Sequence, residues 1–110
     1  MSVYCWGSNK CKQLPDESNI HRYGPQVISS NHLDGQAPIQ IAAGDGHTVV
    51  LTESGDVFCF GRNREGQLGS PSSFICSHKV VGLDNDTIVK VAAGAMNSFA
   101  ITLSGEVYQW

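Results

Sequence analysis

Short runs in which large apolar residues alternate along the chain are separated by turns carrying serine and glycine. Residues 48–52 and 56–60 are β-branched or aromatic stretches on either side of Ser54-Gly55, the pattern of a β-hairpin. Ser104-Gly105 divides residues 99–102 from 107–110 in the same way. Residues 79–83 and 89–92 add two further strand candidates. No stretch carries a sustained 3.6-residue apolar period, so the pattern predicts strands and no helix. Alternation places Tyr4 and Trp6, Phe58 and Phe60, and Tyr108 and Trp110 on one strand face, with Val3, Cys5, Val57 and Cys59 on the other. Both faces are apolar, as a small sheet requires when another sheet covers each side.

The runs recur. Val3-Tyr4-Cys5-Trp6-Gly7-Ser8-Asn9 returns as Val57-Phe58-Cys59-Phe60-Gly61-Arg62-Asn63, an offset of 54, and begins again as Val107-Tyr108-Gln109-Trp110, an offset of 50. Ile41-Ala42-Ala43-Gly44-Asp45-Gly46-His47-Thr48 is answered 50 residues on by Val91-Ala92-Ala93-Gly94-Ala95-Met96-Asn97-Ser98. Gln13-Leu14 foreshadows Gln67-Leu68. A period near 50 with about four strands per unit marks a repeat architecture. The Ala-Ala-Gly triplets have little side-chain bulk, which suits strands that approach one another near an axis. The predicted fold is all-β: radially arranged four-stranded blades of a β-propeller, two repeats of about 50 residues in an incomplete ring. Unit one covers about 3–56, unit two about 57–106, and residues 107–110 open a third, so that 1–110 is one partial propeller domain.

Composition narrows the chemistry. The 110 residues suit one small domain, with 41% hydrophobic and 15% charged residues arguing against disorder. Seven Lys and Arg against ten Asp and Glu leave no basic stripe, so no direct nucleic-acid contact is expected from this segment. No apolar run reaches the ~18 residues of a membrane helix, and residues 2–7 have no signal-peptide character. Cys5, Cys11, Cys59 and Cys76 lack zinc or redox spacing, and the lone Cys76-Ser77-His78 pair does not fill a tetrahedral site. They read as small buried or loop thiols. The sequon Asn85-Asp86-Thr87 requires a secreted chain to matter. Gly61 and Gly66 have phosphate-loop spacing, but Gln67 stands in the place of the lysine. No catalytic constellation, metal site or cofactor is predicted.

The repeated motifs, with the Gln67-Leu68 pair and the Ala-Ala-Gly triplets in matching order, resemble the repeat of the regulator of chromosome condensation family. The resemblance covers nearly the whole chain. Lys12 and Pro15 depart from it, standing where Gly66 and Gly69 stand in the second unit, so an altered first turn is expected. It implies a seven-bladed propeller, which two repeats do not complete. The chain is therefore expected to be a piece of a longer one, or one with a truncated N-terminus. The implied function is a protein-interaction module of a scaffold or regulator, with guanine-nucleotide exchange on a Ran-like small GTPase as the alternative. Partners would be a protein, such as a small GTPase or a ubiquitin-pathway component, in the cytoplasm or nucleus. By the same resemblance Asp45 and His47 are the partner-binding candidates, with Asn97 the diverged counterpart of His47. A purely structural role for His47 is a backbone bond across a blade junction. His21, His32 and His78 read as solvated loop residues, as do Arg62, Arg64 and Glu65, while Trp6 and Trp110 read as blade packing.

Overall fold

A computed structural model describes residues 2–11, 13–14, 22–70, 77–83 and 87–110. β1 (Tyr4–Gly7) pairs with β2 (Arg22–Val27). A second sheet is a meander of β3 (Pro38–Ala43), β4 (His47–Thr52), β5 (Val57–Gly61) and β6 (Ser77–Lys79), paired in that order. A third contains β7 (Ile88–Ala93), β8 (Ser98–Thr102) and β9 (Val107–Gln109). Every pairing is antiparallel. The fold is all-β, and among the described residues the only helix is a 3-10 turn over Ser30–Leu33.

The hairpins form where the Ser-Gly pairs foretell them. Thr52 and Thr102 end their strands, and Gly55 and Gly105 take positive φ angles of 89° and 95°, which an L side chain disfavours. Their amides donate to the carbonyls of Thr52 and Thr102, each at 3.0 Å. The second and third sheets are built alike. Each has a register shift in its first pair, at Pro38/Gln40 and at Ile88/Lys90. The sheets do not begin where the sequence motif begins. Each opens on the strand ending in Ala-Ala and takes its third strand from the following aromatic run.

β5, inside the middle sheet, is buried on both faces along all five residues, whereas β3 leaves Ile39 and Ile41 about half exposed. Val49, Leu51, Val57 and Cys59 pack with Leu68 and Val80 against Val91 and Ala100 of the third sheet. The opposite face packs Val50, Phe58 and Phe60 against Leu33. Each such buried valine, leucine or phenylalanine contributes about 1.5–3 kcal/mol of transfer free energy. His32 differs from the solvated loop expected of it: it is half-buried in the 3-10 turn, edge-on to Phe60 with centroids 6.3 Å apart. β6 ends at Lys79, so the strand read over 79–83 does not form there: only its first residue is in a strand, which covers Ser77–Lys79 instead. Gly82, at a φ of 87°, turns the chain away and leaves Val81 exposed.

Candidate functional site

The polar motif residues gather at one end of the blades, where loops and turns of adjacent sheets meet. After β1 and β5 the described loop residues make matching bonds, while Lys12 and Pro15, where an altered first turn is expected, lie outside the described residues. Asn9 Oδ1 accepts the Leu14 amide at 2.9 Å, and Asn63 Oδ1 accepts the Leu68 amide at 3.0 Å. Gln13 and Gln67 use their side-chain oxygens on the amides of Cys11 and Glu65, at 2.9 and 3.0 Å. Each loop then offers a carbonyl to the next sheet. Thr48 Oγ1 donates to Gln13 O at 3.1 Å, and Ser98 Oγ donates to Gln67 O at 2.7 Å. The recurrence of Asn, Gln and Thr or Ser therefore has a physical basis. Asparagine and glutamine shape the loop, and the hydroxyl fastens it to the following blade.

A second junction joins the turns before β4 and β8. His47 is 1% exposed, and its Nε2 donates to Asn97 O at 3.1 Å. Nδ1 is buried and has no partner among the described residues. Burial holds the imidazole pKa below its usual value, opposed by the Asn97 carbonyl and the Asp45 charge. The ring lies over Gly44, where a Cβ would also come within 2.5 Å of Gly94 O. Asn97 lies over Gly94 in the same manner. The Asp45 amide donates to Ala95 O at 3.2 Å, and Gln40 Oε1 accepts the Val91 amide at 2.6 Å. These bonds join the second sheet to the third.

Asp45 and His47 thus share a turn and differ in exposure. The His47 side chain is enclosed in the blade junction, whereas Asp45 is exposed, with half-exposed Met96 on the adjacent turn. Arg64 and Glu65 are exposed on the loop after β5, and Arg62 pairs with Glu65 at 2.7 Å. Trp110 packs at the margin of the main core, while Trp6 is 59% exposed. The Cys59 thiol is pushed up to about 12, chiefly by burial, against hydrogen bonding from Trp110 and Ser98. A thiol so held is a poor nucleophile. Cys76, His21 and the Asn85-Asp86 part of the sequon lie outside the described residues, and His78 lies in β6. Sequence reasoning missed Thr48, Ser98 and Gln40 as junction residues. The signal for the first two was present, since each hydroxyl follows position 47 or 97 at the repeat offset of 50.

Adjacent antiparallel blades locked by loop-to-blade bonds define a segment of a β-propeller built from sequence repeats. The chain belongs to the Regulator of chromosome condensation (RCC1) repeat family, whose pattern matches residues 2–51 and 54–101. It is 34% identical to the ultraviolet-B receptor UVR8 of Arabidopsis thaliana, over 100% of this chain and 25% of the receptor. It is 36% identical to the probable E3 ubiquitin-protein ligase HERC4 of Mus musculus, over 99% of this chain and 10% of HERC4. It is likewise 36% identical to the mitochondrial RCC1 domain-containing protein RUG3 of Arabidopsis thaliana, over 98% of this chain and 24% of RUG3. Among solved structures, human WBSCR16 superposes with a TM-score of 0.86 at 19% identity, and yeast RCC1 (Prp20), bound to Kap60, with 0.80 at 22%. Both superpositions cover 99% of this chain and 28% of the other, so the fold here is part of a propeller. No helix among the described residues is long and apolar enough to cross a membrane.

Proposed function

We propose that this chain is a protein-interaction module of a larger regulator, and that the end of the blades bearing Asp45 and Met96 faces the partner. The supporting observation is how the polar groups divide. Asn9, Asn63, Gln67, Thr48, Ser98 and His47 are engaged in loop and junction bonds. Asp45 and Met96 stand exposed on two turns joined by the Asp45 amide and Ala95 O, one bringing a carboxylate and the other a flexible apolar side chain. Such a surface recognises a protein carrying a cationic side chain beside an apolar one. No role in this reading calls for a nucleophile, a metal or a cofactor. The working place of such a module is the cytoplasm or nucleus, although one relative is named as mitochondrial.

Guanine-nucleotide exchange on a Ran-like GTPase is the second reading. A structural report on the yeast propeller Prp20p names its binding to Gsp1p and histones, and that propeller shares 23% identity with this chain. A ubiquitin-pathway setting draws on HERC4, of which this chain corresponds to 10%. The two functions separate in one assay. The protein carrying this chain is added to a purified Ran-type GTPase loaded with a fluorescent guanine nucleotide. The interaction-module reading expects an unchanged rate of nucleotide release. Accelerated release, lost in Asp45→Asn, would replace it with the exchange reading.

A further inference from the structure

We propose that the groove between the hairpin at 53–56 and the segment entering β7 receives a lysine or arginine side chain from a basic segment of a protein partner. The groove lies at the hairpin end of the blades, opposite the Asp45 turn, and the proposal does not rest on the reading of that turn. It is enclosed by the second sheet and the entry to the third, so further blades of a longer propeller would pack on the flanking sheets and not in it. Its volume is about 210 Å³. Val57, Val80 and Leu83, all buried, form the apolar lining, and the Val80 amide joins two of them by donating to Val57 O at 2.8 Å. Ser54 and Asp56 from the hairpin and Thr87 from the segment before β7 supply the polar lining. The space is too small for a helix, whose diameter is ~10–12 Å, and suits one long side chain. An alkyl stem covers the apolar lining while its charged head stays at the carboxylate and in water.

Asp56 is held ready for such a head group. Gln36 Nε2 donates to Asp56 Oδ2 at 2.7 Å, and Lys79 Nζ lies 3.2 Å from the same oxygen. Gln36 is fixed in turn by Thr52, whose hydroxyl donates to Gln36 Oε1 at 2.6 Å. The Gln36 bond, more than Lys79, keeps the Asp56 pKa below the usual carboxylate value against the opposing effect of desolvation. The side chain is therefore ionised and fixed in place. An ionised carboxylate accepts about four hydrogen bonds, so Oδ1 has capacity for an incoming donor. Lys79 already places an ammonium of this chain on the carboxylate, yet its side chain is exposed. A surface pair of that kind is weak, and a partner cation displaces it readily.

The charge around the groove selects the class of partner. At the hairpin end Asp34, Glu53 and Glu106 are exposed and Asp56 is half-buried, and Lys79 is the one lysine or arginine there among the described residues. At the opposite end Lys10 and Arg64 are exposed and Arg62 is half-buried, against Asp45 and Glu65. The negative charge therefore gathers where the groove opens, which draws in cationic segments and repels nucleic acid. Asp84 and Asp86, between Leu83 and Thr87 in the sequence, lie outside the described residues. A metal ion does not fit the site, since no three His, Cys, Asp or Glu side chains gather as ligands among the described residues. The cation with an alkyl stem is the one whose chemistry matches both linings.

Fluorescence anisotropy of a labelled peptide repeating Lys-Ser-Gly, titrated with the protein carrying this chain at one ionic strength, tests this. The wild type should bind it, and should not bind the same peptide with its lysines acetylated. Asp56→Asn should weaken binding at least about fivefold. Lys79→Gln removes the competing ammonium and should tighten binding at least about twofold. Glu65→Gln and Lys90→Gln make the same changes of net charge away from the groove, and each should alter Kd by less than about twofold. Melts run alongside, and the exposed Lys79 keeps the test decisive if Asp56→Asn lowers the melting temperature. No binding by the wild type, or equal binding of the acetylated peptide, would overturn the proposal. Equal effects of Asp56→Asn and Glu65→Gln, or Lys79→Gln binding no tighter than Lys90→Gln, would overturn it as well.

Discussion

Ser98→Ala is the sharpest perturbation of the blade junction. Ser98 is fully buried, and its hydroxyl donates to Gln67 O at 2.7 Å. Alanine fits the space, so the change removes bonding rather than packing. A buried carbonyl deprived of its donor costs about 1–3 kcal/mol, and no water reaches this one to replace it. For a domain of roughly this size, 1 kcal/mol corresponds to about 4–8 °C in melting temperature. A loss near 2 kcal/mol is then a shift of about 8–16 °C. Thr48→Val is the matched comparison, because Thr48 makes the equivalent bond to Gln13 O at 3.1 Å but is only half-buried. Water can solvate that carbonyl after the change, and its cost should be less than half as large. Thermal melts of the three proteins at one concentration measure both values. A Ser98→Ala shift within about 1 °C, or a larger loss for Thr48→Val, would refute the assignment of junction strength to these buried hydroxyl bonds.

The His47 environment sets a pH dependence. Its folded pKa is lowered, so the unfolded chain binds the proton first, and stability is complete above the ordinary imidazole value of 6.5 and falls as pH drops toward the folded value. Denaturant titrations between pH 8 and pH 5 should show this decline in the wild type and a flatter profile in His47→Asn; parallel profiles would contradict it. Gly44→Ala should cost about 1–3 kcal/mol in the same titrations, because its Cβ would meet both the His47 ring and Gly94 O. Gly35→Ala, at a positive φ of 74° with open space around it, should cost less, and equal losses would remove crowding as the cause.

The strands that were legible in the chain are those whose alternation and turn chemistry agree. Ser54-Gly55 and Ser104-Gly105 mark their hairpins because a glycine takes the positive φ that each turn needs. β2 was not legible: Arg22-Tyr23-Gly24-Pro25-Gln26-Val27 carries two strand-disfavouring residues, which an edge position tolerates. The blade boundary was hidden for another reason. A tandem repeat reads the same from any starting point, and only the pairing of β3 with β4 and β4 with β5 identifies the first strand of a blade. At the site, Asp45 and His47 were placed on one turn by the repeat, but their opposite exposures depend on the fit of the His47 ring between Gly44 and the Asn97 carbonyl. Contacts between blades leave no local pattern in the sequence. Gln40, reaching an amide 51 positions away, is the plainest case.

The interaction face is tested most directly by Asp45→Asn. The protein partner recovered on the wild-type protein is titrated calorimetrically against the wild type and the variant, with melts alongside. Asp45 is exposed, so its substitution should change stability by no more than about 0.5 kcal/mol. A carboxylate paired with a partner cation in a desolvated contact should weaken binding by about 2 kcal/mol, roughly thirtyfold, when neutralised. The account predicts that loss of affinity with an unchanged melting temperature. Equal affinity for wild type and Asp45→Asn would contradict it.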